Sequence, residues 1–481
     1  MTTSEQSCDV IVLGGGPTGE NLADLVVRGG LNAVLVEGEL LGGECSYWAC
    51  MPSKALLRGT EALAAARAVS GAAAAVTGRQ DAAATLARRN GFTNNWDDAG
   101  QERWVTGAGI HLLRGHGRLA GPRCVVVTAA DGTETTVHAR HAVAVCTGSV
   151  AMIPPVEGLA DVLPWTSREG TASQQVPGRL VVVGGGVVAT ELATAWNGLG
   201  SAVTVLQRGP QLLSQLEPAA GELVAAALRS RGVDVRTGVQ VRSVRRGLGE
   251  VVVVTDGGEV RADEVLVATG RSPATADIGL ETVGLEPGRD LEVDDSLQVP
   301  AVTGGWLYAA GDVTGRALLT HMGKYQARQA GAGIVARARG EQADLTDWSP
   351  HVSTADHSAV PSVVFTDPQV ASVGLTARQA AEAGRPHRVV EYAIGKVAGA
   401  SLYADDYTGT AIAVVDPDRE VLLGVTFVGP SVAELLHAAT IAIVGEVPLR
   451  RLWHAVPAYP TISEIWLRLL ETYRDTDGGR G

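Results

Sequence analysis

One pattern occurs twice in this 481-residue chain. CDVIVLGGGPTGENLADLVVRGGLNAVLVEG (Cys8 to Gly38) reads as strand, glycine turn, helix, strand. RLVVVGGGVVATELATAWNGLGSAVTVLQRG (Arg179 to Gly209) reads the same way. Each copy opens on a Val/Ile-rich run, the composition of a parallel strand buried on both faces. Each closes on a second such run, NAVLVE or AVTVLQ. From Gly14 to Glu37 is 23 positions, and from Gly184 to Gln207 is also 23. A repeated βαβ unit forces a parallel sheet flanked by helices, so the expected fold class is α/β.

The glycines say what each unit holds. In Gly14-x-Gly16-x-x-Gly19 the first glycine allows the tight turn and the second lets backbone approach a pyrophosphate. Gly19 lets helix and strand pack closely, and the phosphates meet the positive end of the helix. Glu37 ends the second strand, where a carboxylate accepts ribose hydroxyls. The second unit carries Gly184-x-Gly186-x-x-Ala189 and ends in Gln207-Arg208 instead of an acid. An arginine there attracts a 2′-phosphate that an acid would repel, which favours NADPH over NADH.

Composition excludes other classes. Hydrophobic residues make up 46% of the chain and charged residues 19%, enough to build large cores. A net charge of −13 is unsuited to nucleic acid or anionic membrane. MTTSEQSCDVIVLGGG lacks the basic start of a signal peptide, and no apolar run reaches the roughly 18 residues of a membrane span. The expectation is a soluble, cytoplasmic protein. Of 39 basic residues three are lysines, Lys54, Lys324 and Lys396, so each retained lysine draws notice.

Five cysteines are too few for a disulfide scaffold. Cys8, Cys124 and Cys146 lie in apolar strand-like contexts and read as core thiols. Cys45 and Cys50 are four residues apart in GGECSYWACMPSKALLR, at the expected start of a helix, where thiolate character is favoured. Lys54 follows Cys50 by four residues on the same helical face. Zinc would need two further ligands, and no second Cys/His pair stands at a metal-like spacing.

Two nucleotide units with Cys-x-x-x-x-Cys-x-Pro-Ser-Lys between them resemble the class I pyridine nucleotide–disulfide oxidoreductases, the family of dihydrolipoamide dehydrogenase, glutathione reductase and mercuric reductase. Cys-Thr-Gly-Ser (146–149), Ala268-Thr269-Gly270-Arg271, Ala310-Gly311-Asp312 and VPSVVFTDPQVASVGLT (360–376) extend the likeness over nearly the whole chain. The resemblance implies two Rossmann-like domains and a C-terminal α+β dimerisation domain. The expected limits are 1–150 for the FAD domain, 151–272 for the NAD(P)H domain, 273–350 for a return to the FAD domain, and 351–481 for dimerisation. It implies that FAD contacts Gly14, Gly16, Gly19, Glu37, Gly43, Lys54, Gly117, Thr147, Gly148, Gly311 and Asp312. It implies that NAD(P)H contacts Gly184, Gly186, Glu191, Gln207, Arg208 and Gly270. Glu191 matches the acid that pairs with the flavin-side lysine, here Lys54. Electrons would pass from nicotinamide through FAD to a Cys45–Cys50 disulfide, with Cys50 facing the flavin and Cys45 exchanging with a small acceptor.

The chain departs from that pattern at one place. Disulfide-reducing members carry His-Pro-Thr-x-x-Glu, supplied across the homodimer interface. Here the run is Tyr459-Pro460-Thr461-Ile462-Ser463-Glu464. A phenol with an ordinary pKa near ~10 shuttles protons poorly at neutral pH. His454 is the alternative donor. No cysteine follows Cys146, so the C-terminal cysteine pair of mercuric reductase is missing. Tyr47 and Trp48, between the two cysteines, would shape an acceptor site or simply pack. The acceptor is therefore open among disulfides, metal ions and other electrophiles. Two alternatives remain: a quinone reductase or transhydrogenase working at the flavin without the cysteines, and a binding subunit of a larger complex.

Overall fold

The expected alternation of buried strand and glycine turn is realised in both copies. A computed structural model describes residues 3–475; the tail expected to be disordered, 475–481, lies outside them from residue 476 onward. The chain divides into two compact units: residues 1–52, 90–152 and 271–356 form the first, and residues 53–89, 153–270 and 357–481 the second.

The first unit is built on a seven-stranded sheet. Its parallel part runs in the order His111–Arg114, Ala33–Glu37, Thr3–Leu13, Glu134–Val145, with Leu307–Ala309 beside the last of these. Cys124–Thr128 and His116–Leu119 continue it antiparallel. Val10, Ile11 and Val12 are all wholly buried, as a two-faced parallel strand requires. The first strand begins at Thr3, earlier than its apolar run, because Glu134–Val145 is long enough to pair with it from Thr3 onward.

Helix Pro17–Arg28 starts straight from the glycine turn, with Gly16 as its N-cap and Pro17 in its first turn. Gly14 has φ +98°, and a Cβ on Gly19 would fall 1.9 Å from the Gly14 carbonyl oxygen. Gly19→Ala is therefore expected to push the helix off the turn and cost more than about 2 kcal/mol of stability through strain. The urea midpoint of the purified protein checks this; an unchanged midpoint would contradict it.

The second unit holds a four-stranded parallel sheet in the order Asp234–Thr237, Ala202–Gln207, Arg179–Val183, Glu264–Val267. Helix Val187–Gly198 packs beneath it, and its Trp196 is fully buried with the indole N–H donating to the Gly170 carbonyl at 3.0 Å. The same unit carries a three-stranded antiparallel sheet (Val241–Gly247, Glu250–Thr255, Gly258–Ala262). It also carries the five-stranded antiparallel sheet Ser362–Val364, Gln369–Gly374, Val421–Gly429, Thr410–Asp416, Arg388–Ala393. Helix Ile465–Asp475 covers this last sheet, with Trp466 edge-on to Phe427 at 5.6 Å. The C-terminal α+β part is thus as its alternating strands suggested.

Candidate active site

The first glycine turn is shaped by what cannot be there. A Cβ on Gly14 would strike the Cys146 carbonyl at 2.4 Å, while Gly16 faces open space with nothing within 4 Å. That open face at a helix N-terminus is the room a pyrophosphate needs. Glu37 stands at the end of its strand, its carboxylate accepting from Gly15 N–H at 2.7 Å and Glu39 N–H at 2.6 Å. Gly43 approaches Gly16 closely, and a Cβ on Gly117 would press on Leu13. Asp312 Oδ2 accepts from Ser149 Oγ at 2.5 Å, and Thr147 Oγ1 donates to the Ala274 carbonyl at 2.8 Å. Gly148 and Gly311 both take positive φ, at +76° and +83°.

Among the described residues, Glu20 Oε1 and the Tyr47 phenol oxygen in this unit are buried without a hydrogen-bond partner. Burial pushes the Glu20 carboxyl up to about 7; Lys324 opposes the shift and Glu37 adds to it. Burial likewise raises the Tyr47 phenol to about 12. Tyr47 is a buried residue and Trp96 donates to its carbonyl at 3.2 Å, so this aromatic packs.

The cysteines come together in the same unit. Cys45 lies in the short helix Gly43–Tyr47, and Cys50 is the first residue of helix Cys50–Arg67. No disulfide joins them in this structure. The Cys45 thiol is pushed well above its ordinary value, first by its hydrogen bond with Cys50, then by burial; Thr320 and Lys324 pull it back. This is the opposite of the thiolate character expected from a helix start, because Cys45 itself sits off that start and shares its proton with a neighbouring sulfur. Cys50 Sγ is 3.2 Å from Thr320 Oγ1. Cys8 and Cys146 are core thiols as read, raised by burial to about 11 and about 12.

In the second unit the other cradle repeats the first. A Cβ on Gly184 would fall 2.2 Å from the Ala268 carbonyl oxygen, and Gly186 again faces open space. Gln207 closes the strand, its amide donating to the Gln211 carbonyl at 3.3 Å, and Arg208 beyond it is exposed. Gly270 has φ +156°. Lys54 Nζ donates to Glu191 Oε2 at 2.7 Å and lies 4.9 Å from the Phe365 ring centre. Glu191 Oε1 also accepts from Phe365 N–H at 2.9 Å. The pairing that the resemblance implied is thus formed across 137 residues.

Tyr459 is 77% exposed and His454 is exposed too. Glu464 is buried; its Oε1 accepts from Arg468 at 2.5 Å, and its Oε2 has no hydrogen-bond partner. Thr320, Lys324 and Glu20 were missed as site residues. The scarcity of lysine pointed at Lys324; nothing local pointed at the other two.

Two nucleotide cradles on parallel sheets and a hydrogen-bonded thiol pair define a nucleotide-dependent dithiol oxidoreductase. Comparison with known proteins fixes its family. Residues 8–332 match the pyridine nucleotide-disulphide oxidoreductases and residues 360–469 match their dimerisation domain, so the chain belongs to that family. It is 34% identical to a mercuric reductase of Acidithiobacillus ferrooxidans over 96% of this chain and 82% of that protein. It is 29% identical to a dihydrolipoyl dehydrogenase of Chlamydia pneumoniae over 96% of each. Two solved structures share the fold: LpdA of Mycobacterium tuberculosis (TM-score 0.82, 24% identity, 97% of this chain and 99% of that one) and the HOCl-induced flavoprotein disulfide reductase RclA of Escherichia coli, as its Cu(II) complex (TM-score 0.82, 23% identity, 97% and 99%). The chain is a flavoprotein oxidoreductase of a family that uses FAD and takes electrons from NAD(P)H.

The first cradle fits FAD. Its open face at Gly16 and the buried Glu20 Oε1, without a hydrogen-bond partner on the helix that starts there, suit a large polar ligand. Among the described residues no helix is long and apolar enough to cross a membrane.

Proposed function

We propose that the protein is an NADPH-dependent, FAD-containing reductase that delivers electrons through Cys45 and Cys50 to a small acceptor: a disulfide, a metal ion or another electrophile. What supports this reading is that the two thiols lie together against Thr320, in the unit that holds the first cradle. The names of the relatives, mercuric reductase and dihydrolipoyl dehydrogenase, support a dithiol relay and leave the acceptor open.

FAD would be held by Gly14, Gly16, Gly19, Glu37, Gly43, Gly117, Thr147, Gly148, Gly311 and Asp312. When bound it supplies the hydride acceptor between nicotinamide and sulfur. Lys54, held by Glu191, is the family's flavin-side lysine by likeness of motif. NADPH would be held by Gly184, Gly186, Gln207, Arg208 and Gly270. With a disulfide acceptor, Cys45 attacks one sulfur and the other leaves as a thiol after taking a proton. Cys50 then displaces the mixed disulfide, restoring Cys45–Cys50 and freeing the second thiol. The working form is a homodimer in which the partner's copy of Tyr459 and Glu464 completes the site; Tyr459 donates a hydrogen bond where the family has His, with His454 as the other donor nearby. A cytoplasmic location goes with this reading, since a dithiol relay works in a reducing compartment.

Anaerobic titration with NADPH tests the relay. A long-wavelength band after two electrons per FAD, from a thiolate against the bound cofactor, is expected. Bleaching of the flavin without that band would leave electron transfer directly from the flavin as the reading. Coenzyme choice is tested at Arg208: Arg208→Glu is expected to raise KM for NADPH about tenfold or more and to leave KM for NADH nearly unchanged, since only NADPH presents a 2′-phosphate. Equal changes for both coenzymes would remove Arg208 from the specificity argument.

A further inference from the structure

Helix Thr320–Ala338 meets helix Pro17–Arg28 along glycines. A Cβ on Gly323 would fall 2.2 Å from the Thr18 hydroxyl, and one on Gly331 would fall 2.6 Å from Leu25. The two helices therefore run side by side in the same direction, 18 against 323 and 25 against 331. This seating brings Glu20 and Lys324 within electrostatic reach of one another. Lys324 also lies one turn beyond Thr320 on the same helical face. Thr320 hydrogen-bonds both cysteines, and Lys324 acts on Cys45 through space. The groups facing Cys45 are thus Cys50 from the next helix, and Thr320 and Lys324 from this one. Glu20 opposes Lys324 from Pro17–Arg28. Glu44, in the helix of Cys45 itself, is faced by Arg271 at 3.8 Å.

We propose that Lys324 is the countercharge of the Cys45 thiolate, and that Glu20 sets how much of that charge the sulfur feels. The proposal rests on the dithiol reading above and adds the group that makes the exchanging sulfur nucleophilic. Removing a proton from a buried thiol costs more than from an exposed one, and a nearby ammonium offsets that cost. The residue is a lysine in a chain that otherwise uses arginine almost throughout. A compact ammonium is a point charge suited to one sulfur, whereas a guanidinium is a planar fork suited to a carboxylate or phosphate. A charged Glu20 would compete with the thiolate for the ammonium; a protonated one would not.

The test is the pH profile of iodoacetamide alkylation at Cys45 in the reduced holoenzyme, read by peptide mass. Lys324→Met is expected to raise the apparent pKa of Cys45 by about one unit, slowing alkylation at pH 7 about tenfold. Lys324→Arg, which keeps the charge, is expected to recover most of the rate. Glu20→Gln is expected to shift the profile the other way. A Lys324→Met profile that overlies the wild type overturns the proposal. If that variant does not hold FAD, an unmoved Glu20→Gln profile overturns it instead. Reducing the enzyme in parallel with dithiothreitol and with NADPH separates the two readings. If only dithiothreitol exposes Cys45, the relay reading fails while the profiles still decide the role of Lys324.

Discussion

Cys50→Ser is expected to abolish the long-wavelength band of the NADPH-reduced enzyme and to lower acceptor turnover by more than about 100-fold. The expectation follows from position. Cys50 opens its helix, contacts Thr320 Oγ1 at 3.2 Å and shares a proton with Cys45. A serine keeps the shape and the hydrogen bond to Thr320 but has neither a thiolate near neutral pH nor a sulfur to form the disulfide. Cys45→Ser makes the contrast: turnover should fall equally, while the band persists because Cys50 is then a lone thiolate. Difference spectra of the two variants under anaerobic NADPH check both. A band that survives in Cys50→Ser would show that some other group faces the flavin.

The second large effect is on stability. Glu191 has a side chain 4% exposed, and its two oxygens are used by Lys54 Nζ at 2.7 Å and Phe365 N–H at 2.9 Å. Lys54→Met removes the cation and leaves a buried carboxylate with one neutral donor. Breaking a buried pair from one side costs about 3–5 kcal/mol; the Lys54 side chain is 35% exposed, so about 2–3 kcal/mol is expected here. The urea midpoint should fall with an unchanged slope. The double variant Lys54→Met/Glu191→Gln should recover part of the loss, because the stranded charge is gone. An unchanged midpoint in Lys54→Met would mean that water already pairs the carboxylate.

What the sequence disclosed was local in origin. Gly14, Gly19 and Gly184 are needed because of atoms that a βαβ unit always places beside them, so their spacing alone located both cradles. The thiol pair was legible for the same reason, with both members within six residues. The partners of that pair were not. Helix Thr320–Ala338 begins on a turn that its own residues do not announce. Its N-cap, Leu319, offers no capping side chain, and Gly323 is a poor helix former, so the first turn carries no sequence signal. That turn exists because Thr18 requires a glycine against it, a contact from 305 residues away, and so Thr320 stayed hidden. The Lys54–Glu191 pair came from family likeness, since no periodicity links positions so far apart. The rise of the Cys45 thiol reflects enclosure and a neighbouring sulfur, which a helix-start argument does not contain.

The seating of Thr18 on Gly323 has a mechanical consequence. The helix that starts at the first glycine turn and the helix that reaches the sulfurs cannot slide past each other without a hydroxyl striking backbone. A variant that opens the Thr18–Gly323 contact is expected to disturb the Thr320–Cys50 contact as well. On the reading proposed above, one helix contact thus links the nucleotide cradle to the group that touches the sulfurs.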